Sequence, residues 1–293
     1  MEAALATEGR ERPLREDEAL DLPRIASMLL SAAADPRPFD PYRLDARDPE
    51  MVRALLPLFE RIARSYLRAE IEGDEHVRPG PVLYVANHNG GILGPDLFTT
   101  MGLLWRKLGP EAPLYAMAHD FAMRRVTPLG RVLQRMGAMR AHRENALRAL
   151  RAGGAVLAYP GGDLDAYRSF AARDRIVFGP RAGFVRVARD ARVPIVPIVT
   201  QGAHRSAVIV HEGAWLASAL GLRSYARIER CPIALALPWG IAVGPWVPYL
   251  PLPFRVRVRV LPPVQVGANA SVELVRRRIV SSMQRALDEL AAR

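Results

Sequence analysis

The spacing of apolar residues divides the chain into two regions. Up to Arg47 the sequence is polar, rich in Arg, Glu and Asp and interrupted by prolines, so we expect little packing there beyond a short helix over residues 25–34. From Met51 to Tyr66, apolar residues recur at three- and four-residue spacing, which predicts an amphipathic helix. The pattern therefore predicts a polar, poorly packed extension over residues 1–47 and a single domain over residues 48–293.

Short apolar runs alternate with helical stretches through the centre of the chain. Strands that are separated by helices pair in parallel and are covered on both faces. We therefore predict an α/β fold with one largely parallel central sheet flanked by helices. The predicted strands are Pro81–Ala86, Pro113–Ala118, Ala155–Tyr159 and Pro194–Thr200, and the predicted helices are Asp96–Leu108, Leu129–Met136, Arg143–Ala152 and Gly183–Ala191.

An uncharged segment of 24 residues, Cys231–Phe254, lies in the C-terminal part of the chain. It is long enough to span a bilayer, but its prolines would repeatedly break a helix. Two interpretations stay open: a buried proline-rich wrap around the core, or an interfacial or channel segment. In the second, three aromatic residues would suit the headgroup zone, namely Trp239, Trp246 and Tyr249.

The last 40 residues or so return to regular patterns. From Arg255 to Val260, arginine alternates with valine, which predicts a strand with one basic face. The apolar spacing over Ser271–Ala292 predicts a closing amphipathic helix.

Charge adds a hypothesis about partners. The 293 residues carry a formal net charge of +11, and Lys107 is the sole lysine, so arginine supplies almost all of the positive charge. Such an excess favours membrane headgroups, phosphorylated cofactors or nucleic acid. Nucleic-acid binding usually adds a motif or an aromatic platform, and neither is present in the sequence. We therefore predict a membrane surface, and no nucleic acid, as the anionic partner.

Cysteine and histidine usage narrows the compartment and the chemistry. Cys231 is the single cysteine, so an intrachain disulfide is excluded and the chain suits a reducing cytoplasm. The charged N-terminal residues lack the apolar core of a secretory signal, so we expect no export. His204 and His211 do not belong to a compact set of ligands, and we predict no metal site and no bound cofactor.

The stretch LYVANHNGGILGPDLF, residues 83–98, contains the strongest candidate chemistry. His88 follows a predicted strand at its carboxyl end, where α/β sheets bind ligands. Pro95 suits the first helical position, and the helix dipole favours an ionised Asp96 in the first turn. Such a carboxylate could fix the tautomer of His88, so that the other ring nitrogen takes a proton from a substrate hydroxyl. The alternative is that His88 and Asp96 only cap the strand and the helix.

Three segments in order carry a resemblance to a known family: NHNGGILGPD, GAMRAHRENALRALRAGGAVLAYPGGDLDAYR and GFVRVARDARVPIVPIVTQGAH. Together they resemble the glycerolipid and lysophospholipid acyltransferase superfamily, in particular its bacterial branch similar to monoacylglycerol and diacylglycerol acyltransferases. The resemblance runs from Ile71 to Pro263. It implies that residues 48–293 form an acyltransferase domain, with acyl-CoA as co-substrate and a lipid alcohol as acceptor.

The resemblance also implies roles for single residues. His88 corresponds to the catalytic histidine and Asp96 to the aspartate that orients it, although seven residues separate them here instead of the usual four. The resemblance implies a basic residue near the acceptor, Arg143 or, as a second candidate, Arg140. The remaining implied substrate-binding residues are Asn87, Gly90, Gly91, Tyr159, Pro160, Gly161, Gly162 and Asp165.

Two replacements bear on the acceptor. Gly161 and Leu164 stand where the family usually has the glutamate and arginine expected to contact a glycerol phosphate. Their absence implies a neutral alcohol such as mono- or diacylglycerol. The tetrahedral oxyanion would be stabilised by backbone N–H groups of the glycine-rich turns or by an arginine.

We therefore predict an acyltransferase in the cytoplasm, peripherally associated with the inner face of the cytoplasmic membrane. The alternative is a non-catalytic basic protein that binds anionic lipid or nucleic acid.

Overall fold

The computed structural model describes residues 20–91, 94–222, 224, 228–244 and 249–293. Residues 1–19 of the predicted extension and Trp246 of the uncharged segment lie outside the described residues.

Ten strands are present in this part of the chain, in two sheets. They are β1 (Glu70–Glu72), β2 (Leu83–Ala86), β3 (Leu114–Ala118), β4 (Ala138–Arg140), β5 (Ala155–Ala158), β6 (Ile195–Gln201), β7 (Val208–His211), β8 (Ile233–Ala236), β9 (Gly240–Val243) and β10 (Arg257–Val260). Seven form the central sheet in the order β1-β10-β6-β2-β5-β3-β4, and β7, β8 and β9 form a small second sheet. In the central sheet β6, β2, β5, β3 and β4 run parallel, while β10 is antiparallel to β6.

Helices connect and cover these strands. They are α1 (Leu22–Ala33), α2 (Pro49–Arg61), α3 (Pro95–Leu108), α4 (Thr127–Arg135), α5 (Arg143–Arg151), α6 (Gly162–Ala166), α7 (Gly183–Ala191), α8 (Ala214–Ala219) and α9 (Val272–Ala291). Their start signals are local: the Asp48 side chain accepts from Glu50 N and Met51 N before α2, and the Ser271 hydroxyl accepts from Leu274 N before α9.

The two faces of the central sheet each pack against a layer of helices. On β2, Tyr84 and Ala86 face a cluster that contains Trp105 of α3 and Phe59 of α2. The alternate residues Leu83 and Val85 face a second cluster with α5, α7 and α9. Because both faces are covered, β2 is buried along its whole length and reads as an unbroken apolar run.

The predicted fold class is confirmed: the protein is an α/β domain with a mostly parallel sheet between helices. The four predicted central strands and four predicted central helices all form, with ends that shift by two residues or fewer. The predicted strand after Arg255 and the closing helix form as β10 and α9.

The expectation of little packing before residue 48 is wrong for α1. Ile25 and Ala32 of this helix are buried in the same cluster as the α2 and α3 residues. Arg24 is the single charged residue of α1, so the helix itself is mainly apolar, and the polar composition of the residues around it concealed the face that it buries. The domain boundary at residue 47 stays a prediction.

The uncharged segment Cys231–Phe254 contains the β8–β9 hairpin, which pairs with β7. In the described part of the chain, no helix has the length and hydropathy needed to cross a bilayer. Ala236 and Ala242 are buried, as the wrap interpretation expects, whereas Leu235 and Ile241 are exposed, and the interfacial interpretation stays a prediction.

Candidate active site

Three neighbouring strands end at the same edge of the central sheet. β2 lies between β6 and β5 and is parallel to both, so their carboxyl ends meet. This edge brings together Asn87 and His88 after β2, the turn Tyr159–Gly162 after β5, and His204 after β6. Ligands of open α/β sheets bind at such an edge.

His88 and Asp96 form a buried pair at the centre of this edge. The Nδ1 atom of His88 lies 2.7 Å from Oδ2 of Asp96, and their side chains are 10% and 0% exposed. An ionised carboxylate at this distance accepts the Nδ1 proton, which leaves Nε2 as the basic nitrogen. Among the described residues, no hydrogen-bond partner of Nε2 is found.

The long spacing between the two residues is accommodated by a glycine. Gly94 directly precedes α3, and a Cβ at this position would collide with the carbonyl oxygen of Asn89. The close approach of the backbone there returns the chain to the start of α3 and sets Asp96 beside His88. The same carboxylate oxygen also accepts from Asn89 N at 3.2 Å.

The charge of Asp96 dominates the protonation of His88. Burial by itself lowers the pKa of the imidazole, but the charge of Asp96 and its hydrogen bond outweigh that effect. The pKa of His88 is therefore raised above its ordinary value of 6.5. A base with a raised pKa takes up a proton more readily, and Asp96 stabilises the imidazolium that results.

The side chain of Asn87 is hydrogen-bonded within the protein. Its amide donates to Thr200 O at 2.9 Å and accepts from Thr200 N at 2.8 Å, and the residue is 0% exposed. This pairing fastens the end of β2 to β6. Both ends of the amide are bonded to Thr200, so Asn87 has a structural role, and its predicted contact with substrate stays a prediction.

The glycine turn after His88 is held by protein contacts. Gly90 has φ +75°, and a Cβ there would lie 2.7 Å from Ala203 O, so only glycine fits. Gly90 N donates to Nδ1 of His204 at 2.9 Å, and Gly91 N donates to Ala166 O at 3.0 Å. Protein fills the Cβ side of Gly90, and the predicted contact of Gly90 and Gly91 with substrate stays a prediction.

In the described part of this turn, the N–H groups from His88 to Gly91 are bonded to the protein. His88 N donates to Asp165, Asn89 N to Asp96, Gly90 N to His204 and Gly91 N to Ala166. They are therefore not available as oxyanion donors in this conformation. Of the predicted sources of oxyanion stabilisation, the second glycine turn and an arginine remain.

Asp165 lies beneath His88 and is 0% exposed. Oδ2 accepts from His88 N at 2.6 Å, while Oδ1 accepts from Val177 N and from the Arg168 guanidinium, both at 2.9 Å. Burial raises the pKa of this carboxyl, and the Arg168 charge and the two N–H donors oppose that rise. Both oxygens are bonded inside the protein, so Asp165 supports the His88 backbone, and its predicted contact with substrate stays a prediction.

Arg168 joins the two glycine-containing segments. Its side chain is 1% exposed, and its guanidinium donates to His88 O at 2.7 Å and to the side chain of Asn89. The same group reaches Asp165, so one buried cation bonds both sides of the catalytic turn. This arrangement fixes the backbone that carries His88.

His204 completes the support as a neutral imidazole. Nδ1 accepts from Gly90 N, and Nε2 donates to Arg168 O at 2.6 Å. Burial, followed by the nearby Arg168 charge, lowers the pKa of His204 to about 3. The expectation that His204 is an ordinary bonded histidine agrees with this geometry, and the described residues contain no cluster able to hold a metal ion.

The turn after β5 lies beside the imidazole. The ring of Tyr159 lies 4.7 Å from that of His88 between centroids, and Gly162 N donates to Tyr159 O at 3.0 Å. Arg181 donates to Gly161 O at 2.7 Å and more weakly to Pro160 O at 3.4 Å. The predicted residues Tyr159, Pro160, Gly161 and Gly162 are therefore adjacent to the dyad, and Arg181 adds a cation there.

The two predicted acceptor arginines contact other groups. Arg140 is the last residue of β4, the edge strand of the sheet, and forms a two-pronged ion pair with Asp120 at 2.6 and 3.0 Å. Arg143 begins α5, is half exposed, and pairs with Asp190 of α7 at 2.7 Å. In the part of the chain that the structure describes, no contact joins either residue to the His88 cluster, so the predicted acceptor role is not supported.

Three residues of the cluster were not assigned to the site from the sequence: Arg168, His204 and Tyr249. Arg168 stands three residues after Asp165, a spacing at which opposite charges pair on a helical turn. His204 follows the predicted strand over Pro194–Thr200 and so shares its sheet edge. Tyr249 donates its hydroxyl to Gly90 O and packs against Ala236 and Ala242, so it faces the protein instead of the predicted headgroup zone.

Comparisons with known proteins agree with this site. A sequence model of the Acyltransferase family matches residues 68–201, the segment that contains the dyad and both glycine turns. The crystal structure of the 1-acyl-sn-glycerophosphate (LPA) acyltransferase PlsC from Thermotoga maritima has a similar fold, with a TM-score of 0.55 and 16% identity over 92% of this chain and 89% of that one.

Two curated relatives are similar in sequence. A chicken protein described as a DGAT1/2-independent enzyme synthesizing storage lipids is 31% identical over 50% of this chain and 42% of its own length. An uncharacterized Mycobacterium tuberculosis protein is 28% identical over 80% of this chain and 61% of its own. The matched part thus spans about four to six tenths of these relatives.

Residues 68–201 are therefore similar to the Acyltransferase family, and the chicken relative is a lipid-synthesising protein by its description. The resemblance seen in the sequence agrees with these matches.

Proposed function

We propose that this protein transfers a fatty acyl group from acyl-CoA to the hydroxyl of a neutral lipid alcohol. The observation that carries the proposal is the buried pair of His88 Nδ1 and Asp96 Oδ2, 2.7 Å apart at the carboxyl edge of the sheet. A carboxylate that holds Nδ1 protonated makes Nε2 available as a general base. The dyad has no protein nucleophile beside it in the sequence motif, which suits activation of a hydroxyl on the substrate.

The chemical step follows from that arrangement. Nε2 of His88 takes the proton of the acceptor hydroxyl, and the oxygen attacks the thioester carbonyl carbon to form a tetrahedral oxyanion. When this intermediate collapses, the carbon–sulfur bond breaks and the CoA thiolate takes the proton back from Nε2. The products are an ester and free CoA, and Asp96 stabilises the imidazolium between the two proton transfers.

The nature of the acceptor is proposed from the turn after β5. Gly161 and Leu164 replace the glutamate and arginine expected for a phosphate-bearing acceptor. The cation that does approach this turn, Arg181, is already paired with Asp163 at 3.2 Å and Glu229 at 2.9 Å. A paired guanidinium attracts a phosphate less strongly, which favours a neutral acceptor such as mono- or diacylglycerol. The storage-lipid description of the chicken relative agrees with this choice.

We place the activity at the inner face of the cytoplasmic membrane. The lipid acceptor would reside there, acyl-CoA is a cytoplasmic donor, and the excess of arginine favours anionic headgroups. The non-catalytic alternative gives no reason for a buried, ion-paired histidine at a ligand-binding edge.

An acceptor screen with labelled acyl-CoA tests the proposal. Monoacylglycerol, diacylglycerol and long-chain alcohols should yield labelled ester, and lysophosphatidic acid should yield less. His88→Ala should make no ester, whereas the control His76→Ala, at a partly exposed histidine outside the site, should match the wild type. Preference for lysophosphatidic acid would refute the neutral acceptor, and no ester with any acceptor would refute the activity.

A further inference from the structure

The small sheet β7–β8–β9 carries its larger apolar side chains on the outside. Its inward residues are mostly alanines, such as Ala236 and Ala242, which pack against Tyr249. On the opposite face, Leu235 is 51% exposed and pairs with Ile241, which is 69% exposed. A sheet with one solvated face normally alternates apolar with polar residues, and here both faces are apolar.

This outer face is continuous across the three strands. The register sets Val208 beside Leu235, Leu235 beside Ile241, Ile233 beside Val243, and the exposed His211 beside Ile233. We call the face formed by Val208, Ile233, Leu235, Ile241 and Val243, with Val210 at the bulge of β7 and His211 as its polar member, the outer face. Single exposed apolar residues are ordinary, but a contiguous patch of this kind marks a contact surface.

Exposed tryptophans flank the outer face. Trp239 lies in the turn between β8 and β9 and is 55% exposed, and Trp215 lies on α8 just after β7 and is 60% exposed. Tryptophan is enriched where hydrocarbon meets headgroups. Their position beside a patch of leucine, isoleucine and valine suits a lipid surface.

Arginines lie close to the same element. Arg205 is exposed and precedes Ser206, whose carbonyl accepts from Leu252 N at 3.2 Å. Arg68 donates to Pro253 O at 2.6 Å, next to the exposed Phe254. Positive charges beside an apolar patch attract anionic headgroups, and salt screens this attraction.

The outer face is also tied to the candidate active site. Tyr249 packs on the inner side of β8 and β9 and donates its hydroxyl to Gly90 O, two residues after His88. Leu250 N donates to Leu237 O at 2.8 Å, which links the same stretch to the end of β8. A bilayer on the outer face would therefore lie close to the turn that carries the catalytic histidine.

We propose that the outer face, with Trp215 and Trp239, inserts into the interface of an anionic lipid bilayer. The inference rests on the proposed function, because that function requires access to an acceptor that lies in a membrane. Its physical basis is separate: an apolar sheet face, flanking tryptophans and nearby arginines.

Vesicle flotation tests the proposal with the full chain. The probe is a vesicle of phosphatidylcholine and phosphatidylglycerol, compared with phosphatidylcholine alone, at low and high salt. The variant Leu235→Ser/Ile241→Ser removes apolar surface from the centre of the outer face. The control Leu274→Ser alters an equally exposed leucine, 65% exposed, on α9. Circular dichroism checks that each variant folds.

Wild type and Leu274→Ser should float with anionic vesicles, and part of the binding should survive high salt. The double variant should lose at least about tenfold in partition coefficient, because two apolar side chains no longer leave water. Equal flotation of the double variant would overturn the proposal, as would wild type that stays unbound at low salt. A wild-type dimer that the double variant converts to monomer would assign the outer face to a protein contact instead.

Failure of this proposal can be distinguished from failure of the proposed function. Thiol release from short-chain acyl-CoA with detergent-dispersed monoacylglycerol needs no vesicle, so the double variant should keep its turnover in that assay. His88→Ala should float like wild type but release no thiol. Flotation without thiol release in the wild type would refute the function alone, and thiol release without flotation would refute the membrane surface alone.

Discussion

Replacing Asp96 by asparagine separates the charge of the dyad from its shape. The two side chains have nearly the same size, and Asp96 is 0% exposed, so the variant should fold around the same site. An amide oxygen can still accept the Nδ1 proton of His88 and the N–H of Asn89, which now lie 2.7 and 3.2 Å from Oδ2. The negative charge that stabilises the imidazolium is lost.

Two effects of Asp96→Asn can be derived from the structure. The reaction loses most of the advantage of an oriented general base, so we expect turnover to fall by about 10²–10⁴-fold. The pKa of His88 should fall as well, because burial continues to lower it while both contributions of Asp96 that raise it disappear. Each pH unit of that fall corresponds to about 1.4 kcal/mol of lost imidazolium stabilisation.

The assay is thiol release from acyl-CoA as a function of pH. His88 must be neutral to act as a base, so the wild-type rate should rise with pH through a pKa above 6.5. In Asp96→Asn this acid limb should move to lower pH while the plateau falls. Asp48→Asn, at a helix cap that asparagine also suits, is the matched control and should leave rate and profile unchanged. An unmoved acid limb with a near-normal plateau would refute the dyad.

Three further predictions concern the groups around the dyad. His204 keeps a folded pKa of about 3 against 6.5 for the free side chain, so its contribution to stability is present above pH 6.5 and is lost as the pH falls. The free energy of unfolding should fall by about 1.4 kcal/mol per pH unit as the pH decreases over roughly pH 7 to 4, and His204→Gln should not show this fall. Denaturant titrations measure it, and equal pH slopes for the two proteins would contradict the prediction. Asp165→Ala leaves the buried Arg168 unpaired and should lower the free energy of unfolding by about 3–5 kcal/mol, whereas a loss under about 1 kcal/mol would contradict the buried pair. Tyr159→Phe removes a buried hydroxyl that lies near the Thr100 side chain but makes no hydrogen bond of normal geometry to the described residues, so the free energy of unfolding should change little; a loss above about 2 kcal/mol would show that the two hydroxyls are bonded.

The sequence predicts best what neighbouring residues determine. The β2 strand, the glycine turn and the start of α3 follow one another within 16 residues, 83 to 98, so their geometry depends on local signals such as Pro95. The pairing of His88 with Asp96 spans eight residues and could therefore be anticipated. Its exact orientation still required the close approach at Gly94.

Long-range contacts were not predictable in the same way. Arg168 reaches His88 across 80 positions, His204 reaches Gly90 across 114, and Tyr249 reaches Gly90 across 159. No periodicity connects such residues, because they meet only after β6, β2 and β5 assemble. The bonds of Asn87 to Thr200 and of Asp165 to His88 N likewise join positions 113 and 77 residues apart, so spacing along the sequence does not predict them.

The β8–β9 hairpin was not predicted from the sequence, for a different reason. Strand prediction relies on alternation of apolar and polar residues. In Ile233–Ala236 and Gly240–Val243 the residues on both faces are apolar, so alternation in size replaces alternation in polarity. The same alternation in size that makes the hairpin hard to predict places leucine and isoleucine on its outer face.

The most direct test of the central claim is thiol release from a long-chain acyl-CoA, measured with and without monoacylglycerol for wild type and His88→Ala. Our account predicts release that depends on the acceptor in the wild type and a loss of at least about 10²-fold in His88→Ala, with circular dichroism unchanged. Acceptor-dependent release by His88→Ala within about tenfold of the wild-type rate would contradict the assignment of His88 as the general base.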